Sequence, residues 1–151
     1  MKKYLLLFIM FICLLSLCGC EKVEQGTYKE GTYFGYYEDD YGNIPSVATA
    51  VLYVNSDGVI KSVFLDTVYS KDSHLTTKKV LGNDYNMKPS SEVGKEWYEQ
   101  VNLIENKVLE NQDISFITLD ENGKTDAIAG VTMKVNALYK ALENALNDAK
   151  N

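Results

Sequence analysis

Residues 47–69 read VATAVLYVNSDGVIKSVFLDTVY, two β-branched apolar runs on either side of Ser56, Asp57 and Gly58. An Asp-Gly pair between such runs is a strong hairpin signal, because the turn needs positive φ and glycine adopts it without a Cβ penalty. One strand is expected over residues 47–55 and another over 59–69. Upstream, residues 32–37 (TYFGYY) form an aromatic strand-like run and residues 39–43 (DDYGN) carry turn residues. The three runs make an antiparallel meander. In its third strand, alternation sets Ile60, Phe64 and Val68 on one side with Val63 and Leu65 astride it, so both faces are expected to be partly covered.

Residues 70–91 are polar and read as a long, largely irregular loop, a feature that often carries function in a compact domain. Beyond Pro89, the residues Val93, Trp97, Val101, Ile104 and Val108 follow helical spacing and predict a helix with one apolar stripe. Residues 114–119 (ISFITL) predict a short strand, and residues 120–123 (DENG) a turn. Val135, Leu138, Leu142, Ala145 and Ala149 predict a last amphipathic helix from Met133 to about Asp148. The expected fold is therefore α+β: an antiparallel sheet, built as a three-stranded meander plus one or more further strands, packed with two amphipathic helices.

Between the last turn and the last helix lie residues 126–132, DAIAGVT, a small-residue turn ending in a hydroxyl. Local sequence alone reads Thr132 as a helix N-cap, without the Glu or Gln that would complete a capping box, since Val135 stands there. The same position exposes backbone N–H groups and the positive end of the helix dipole, which suits a phosphate held on or beside the threonine, and Gly130 leaves room for close approach.

An Asp, a few residues, Ser/Thr-Gly-Ala-Thr and then a helix resembles the flavin-attachment motif of the FMN-binding domain family. That family includes flavinylated subunits of the sodium-pumping NADH:quinone reductase and of the Rnf complex, and flavin lipoproteins of extracellular electron transfer. The resemblance runs from about Gly31 to Ala149, through the β-rich start, the element Tyr85, Asn86 and Met87, the Trp97 helix and the threonine turn. It implies FMN bound covalently by a phosphoester to Thr132, taken from FAD by a Mg-dependent FMN transferase, with Gly130 as the clearance residue and Asp126 as the motif acid. Tyr85 and Met87 are then candidate walls for the flavin ring. The chain departs from the motif at Ala129, where Ser or Thr is usual, and at Val131, where Ala is usual.

The N-terminus carries Lys2 and Lys3, an apolar run over residues 4–17, and then Leu17, Cys18, Gly19 and Cys20 in lipobox order. The run is too short for a comfortable membrane span, and the small Gly19 suits a peptidase that cuts there. The expected organisation is a lipoprotein signal peptide at residues 1–19, a lipidated tether at 20–30 beginning with Cys20, and one domain at 31–151. Cleavage takes away Cys13 and Cys18 and lipid occupies Cys20, leaving no thiol for a disulfide, a nucleophile or an iron–sulfur cluster. The formal net charge of −6 becomes −8 once Lys2 and Lys3 leave, which argues against nucleic acid and against lying flat on an anionic bilayer. Every basic residue is a lysine, so no bidentate Arg clamp for phosphate exists. Backbone donors and the covalent bond are left to hold a cofactor.

His74 is the one histidine, which cannot by itself build a transition-metal site and reads as surface. The acids Asp39, Asp40, Asp66 and Asp72 read as a solvated face, no catalytic grouping has a local signature, and Trp97 reads as core. The sequence thus points to an extracytoplasmic, membrane-anchored flavoprotein, an electron carrier more than a turnover enzyme. Its donor would be a membrane dehydrogenase or quinol system, and it would meet the bilayer through the lipid on Cys20. The alternative is a non-redox surface lipoprotein that binds a small molecule or partner with a decayed motif, a reading that Ala129 keeps open.

The leader generates one test. Cys20→Ser should block processing or release the chain, read by its size and by its distribution between membrane and soluble fractions. A variant processed and retained like the natural chain would refute the lipoprotein assignment.

Overall fold

The computed structural model describes residues 26–41, 44–71 and 73–150; the leader, Cys20 and the first part of the expected tether lie outside the described residues. Strands β1 (Gly31–Tyr41), β2 (Ile44–Val54), β3 (Ile60–Lys71) and β4 (His74–Thr77) form one antiparallel sheet in the order β1-β2-β3-β4. The predicted meander is present, and the turn between β2 and β3 closes as its sequence demands. Gly58 has φ of 75° and donates to the Asn55 carbonyl, while the Asn55 side chain accepts from Val59 N at 2.9 Å.

A β-bulge alters the expected alternation. Tyr53 pairs with Ser62 but Val54 with Ile60, so Lys61 is the extra residue, and Ile60 joins Val63 and Leu65 on the buried face. Phe64, expected beside Ile60, points the other way and is 48% exposed. One face is covered along its length, with Ala48, Ala50, Leu52, Val54, Ile60, Val63 and Leu65 buried; the opposite face is exposed at Phe34, Tyr36 and Tyr53 and covered on β3 at Asp66, which is buried and accepts from Lys79 N.

The fourth strand is β4, within the stretch expected to be a loop. The rest of that stretch is also ordered, as helix α1 (Lys78–Leu81) and 3-10 turns at Gly82–Tyr85 and Lys88–Ser90. Residues 114–119 are not a strand. Ile114 and Ile117 are buried with the spacing of a turn, closed by Ile117 N donating to the Ile114 carbonyl, so the apolar run tacks onto the core and leaves the sheet unextended.

Helix α2 (Trp97–Asn111) begins four residues later than the stripe implied. Gly94 at φ 62° breaks the run, and Glu96 and Glu99 form a capping box that fixes the start, leaving Val93 outside. The helix lies along the edge of β3 ahead of β4 and satisfies it with side chains. Gln112 accepts from Ile60 N at 2.7 Å and donates to the Ile60 carbonyl, and Glu105 Oε1 accepts from Leu65 N at 2.6 Å while pairing with Lys79. An exposed edge is thereby closed to other chains.

Helix α3 (Asn136–Lys150) buries Leu138, Ala141, Leu142, Ala145, Leu146 and Ala149 against β1 and β2. Each fully buried leucine contributes roughly 1.5–3 kcal/mol. The alanines serve a second purpose, close approach: a Cβ on Gly35 of β1 would stand 2.1 Å from the Ala141 carbonyl oxygen and 2.6 Å from Ala145 N. The chain ahead of β1 is packed as well. Tyr28 is buried, Gly26 N donates to the Asp57 carbonyl at 2.6 Å, and Lys29 N to the Ala149 carbonyl, so residues 26–30, expected as tether, belong to the domain. Among the described residues no helix is long and apolar enough to cross a membrane.

The contact at Gly35 should be intolerant. Gly35→Ala pushes a methyl into the α3 backbone and is expected to destabilise the fold by about 3 kcal/mol, read as a lower urea midpoint at unchanged slope. A midpoint within error of the parent would show that α3 is free to lift.

Candidate functional site

The threonine turn hangs between two fixed points. Before it, Asp120 Oδ1 accepts from Asn122 N and Lys124 N, and the bond from Lys124 N holds the Asp120 carboxyl below its ordinary pKa. After it, Val135 N donates to the Gly123 carbonyl at 2.7 Å, and the Val135 carbonyl accepts the first helical bond from Tyr139 N. Helix α3 therefore starts at Asn136, not at Met133, and Thr132 is not its N-cap. Inside the turn, Ile128 and Val131 are buried anchors, Ala129 is exposed, and Gly130 takes φ of 86°. That positive φ strains any residue with a Cβ, and a Cβ here would also stand 3.1 Å from Leu103 Cδ1.

The backbone donors expected to await an anion are already engaged. Thr132 N donates at 2.9 Å and Met133 N at 3.3 Å to one acceptor, Oε1 of Gln100 on α2. Gln100 is fully buried, and its Nε2 donates to Ser91 Oγ at 3.1 Å. A helix dipole acting on Thr132 is likewise weakened, since three residues separate it from Asn136.

Three clefts meet around this turn. The largest, of about 530 Å³, is lined by Thr132, Val131, Asp126, Thr125, Lys124 and Glu92 among others. A second, of about 110 Å³, is lined by Thr132, Met133, Gln100 and Met87. The third, of about 310 Å³, is lined by Met87, Met133, Tyr85, Trp97, Lys78 and Lys124 among others. Thr132 and Glu92 are shared by the first two and Met87 and Met133 by the last two, so the three clefts are neighbours around the turn.

Met87 thus shares a cleft with Thr132, Asp126 shares another with it, and Tyr85 lines the neighbouring 310 Å³ cavity. The element that carries Tyr85 and Met87 is held by a buried carboxylate: Glu96 accepts from Met87 N at 2.8 Å and Lys88 N at 3.1 Å, and Asn86 between them sits at φ 58°. Tyr85 meets Tyr69 edge-on at 5.2 Å and Trp97 at 6.5 Å between centroids. Trp97 is buried, as its stripe position implied, yet also lines the 310 Å³ cavity. The Lys78 ammonium lies over both rings, 5.1 Å from Tyr85 and 5.2 Å from Trp97. Burial lowers the Lys78 pKa, while Asp66 and Asp39 pull it upward.

Elsewhere His74 is exposed on β4, and no cluster of metal-ligating side chains occurs among the described residues. Asp66 is not part of a solvated face. It is buried, accepting from Thr67 N and Lys79 N at the start of α1, and Asp39 is half-buried at the 310 Å³ cavity; Asp72 lies outside the described residues. Sequence reading missed Gln100, Glu96, Lys124 and Lys78. Two of these carried a signal, since Gln100 breaks the apolar stripe of α2 and Glu96 stands three residues before Glu99. Lys124 reaches both larger clefts and pairs with Glu92 at 3.1 Å, a cation where no arginine was available.

No family model and no curated protein matches the chain. Among solved structures, a Clostridium thermocellum protein determined by solution NMR as a structural genomics target is 32% identical, over 82% of this chain and 93% of that one, with a TM-score of 0.55.

The clasp on the turn is testable apart from any ligand. Gln100→Met keeps the bulk and removes the acceptor shared by two amides, which should cost about 2 kcal/mol and speed hydrogen exchange at Thr132 and Met133. Unchanged exchange at both amides would show that Gln100 does not hold the turn.

Proposed function

We propose that this chain, which belongs to the same family as the Clostridium thermocellum protein, is a lipid-anchored extracytoplasmic electron carrier with FMN esterified to Thr132. The observation that carries the reading is the meeting of Thr132 and Asp126 on one cleft, beside a cavity walled by Tyr85, Met87 and Trp97. The volumes of both larger clefts fall in the usual range for small-molecule sites, roughly 300–1,000 Å³.

The residues present fit the group. Thr132 is half-buried on a turn fixed by Gln100, so its hydroxyl is presented from a defined backbone. Asp126 is exposed at the cleft, where an incoming transferase can reach it. With Thr132 N and Met133 N tied to Gln100, the cation lining that cleft is Lys124, which a phosphate would have to share with Glu92. Ala129 is exposed and is not among the residues lining the 530 Å³ cleft, so its missing hydroxyl bears on recognition by the transferase more than on the cavity. Aromatic and methionine walls suit a flat ring. When bound, FMN supplies the redox chemistry, and the protein supplies attachment, shielding and tuning. A covalent bond suits a carrier outside the cytoplasm, where a dissociated cofactor is lost by dilution. The donor is a membrane dehydrogenase or quinol system.

The second reading, a lipoprotein that binds a small molecule without redox chemistry, is favoured by the two amides already committed to Gln100. Coexpression of the mature domain with an FMN transferase, Mg²⁺ and FAD separates the two. The carrier gains the mass of one FMN less one water, Thr132→Ser keeps the adduct, Asp126→Ala slows it, and Thr132→Ala abolishes it. Because Thr132 is not a helix cap, Thr132→Ala should change stability by no more than about 0.5 kcal/mol. An unmodified natural domain beside a working control substrate would refute the carrier and leave the binding module.

A further inference from the structure

We infer that the 310 Å³ cavity is the seat of the flavin ring and that Lys78 sets its reduction potential, by facing the charge the ring gains on reduction. This rests on the FMN reading above and adds the place of the ring and the residue that tunes it.

The cavity has the right chemistry on each side. Tyr85 and Trp97 present aromatic surface, and Met87 and Met133 present polarisable thioethers. Met133 follows Thr132 directly, and Met87 and Met133 line both this cavity and the 110 Å³ cleft that Thr132 lines, so the cavity neighbours the attachment point. The balance of charge is unlike that of the whole chain. In a protein of net charge −6, the described residues lining this cavity include Lys78, Lys124 and Lys134 against the one carboxylate of Asp39, Lys124 being paired with Glu92 of the neighbouring cleft.

Of the three lysines, Lys78 is the one placed over the ring-stacking surface, its ammonium about equally distant from the Tyr85 and Trp97 centroids. It is the first residue of α1, and its place is fixed by the backbone around it. Asp66 accepts from Lys79 N, and Thr77 caps the helix by accepting from Val80 N. The carboxylates that act on it are Asp66 and Asp39, and Asp66 is occupied by the amides of Thr67 and Lys79. A partly desolvated cation on an apolar wall interacts strongly with any charge that appears beside it.

Reduction supplies that charge. Two electrons from a quinol-class donor and one proton convert the neutral oxidised ring to a reduced ring with one negative charge; a second proton would neutralise it. A fixed cation favours the singly protonated product and so raises the midpoint potential. Lys78 transfers neither electron nor proton in this account; it is a tuning residue.

The test uses the flavinylated mature domain and its Lys78→Met and Lys78→Arg variants, titrated spectroelectrochemically at fixed pH. Lys78→Met should lower the equilibrium constant for reduction at least tenfold, a midpoint about 30 mV more negative for a two-electron couple. Lys78→Arg should restore most of the difference, an outcome that a purely structural role would not produce. Independently of any variant, emission from the chain's single tryptophan, Trp97, should be strongly quenched in the loaded domain relative to the unloaded one. A loaded Lys78→Met domain with the parent potential, or undiminished Trp97 emission in a fully flavinylated domain, overturns this inference alone. A domain that accepts no flavin overturns the FMN reading and this inference with it.

Discussion

Helix α2 grips the rest of the chain through a row of polar side chains, and the site depends on that grip. Gln112 and Glu105 bond the backbone of β3, Gln100 bonds the backbone of the threonine turn, and Glu96 bonds the backbone ahead of the second 3-10 turn. Glu96, Gln100 and Glu105 are buried, where an unpaired polar group costs several kcal/mol in an apolar medium, so each must be matched and each fixes what it touches. One rigid helix thereby sets the relative positions of the sheet edge, the aromatic element and the turn. Two loops that would otherwise move separately are held to a common frame.

This explains why the overall architecture was easier to read than the site. The hairpin of residues 47–69 declares itself through period-two patterning around an Asp-Gly turn, and the apolar spacing of α3 falls on buried positions from Val135 to Ala149. The bulge at Lys61 carries no local mark, so the side of Ile60 was misplaced. Strand β4 is four residues long with Leu75 80% exposed, giving no apolar alternation to see. Residues 114–119 have strand-like composition, yet their two isoleucines serve packing. The start of α2 was marked, by Gly94 and the pair Glu96 and Glu99, but the apolar stripe drew the boundary too early. Thr132, Asp126, Tyr85 and Met87 were legible as separate elements. That they line neighbouring clefts was not, because the turn and the Met87 element are held in place by long-range bonds from Gln100 and Glu96 to backbone amides.

The structure also changes what the threonine turn does. The sequence favoured a phosphate resting on a helix N-terminus, but the amides of Thr132 and Met133 are spent on holding the turn in shape. The cations near the turn are side chains, Lys124 on the 530 Å³ cleft, where it pairs with Glu92, and Lys78 over Tyr85 and Trp97.

The most direct measurement is the location of the flavin within the chain. Cleavage at lysines isolates residues 125–134, a peptide with two hydroxyls, Thr125 and Thr132. Both line the 530 Å³ cleft, but Thr125 is buried and its Oγ1 accepts from Ala127 N, whereas Thr132 is half-buried. Fragment-ion mapping of the flavinylated domain should place the flavin phosphate on Thr132 alone. Flavin on Thr125 or on any other peptide would contradict the account.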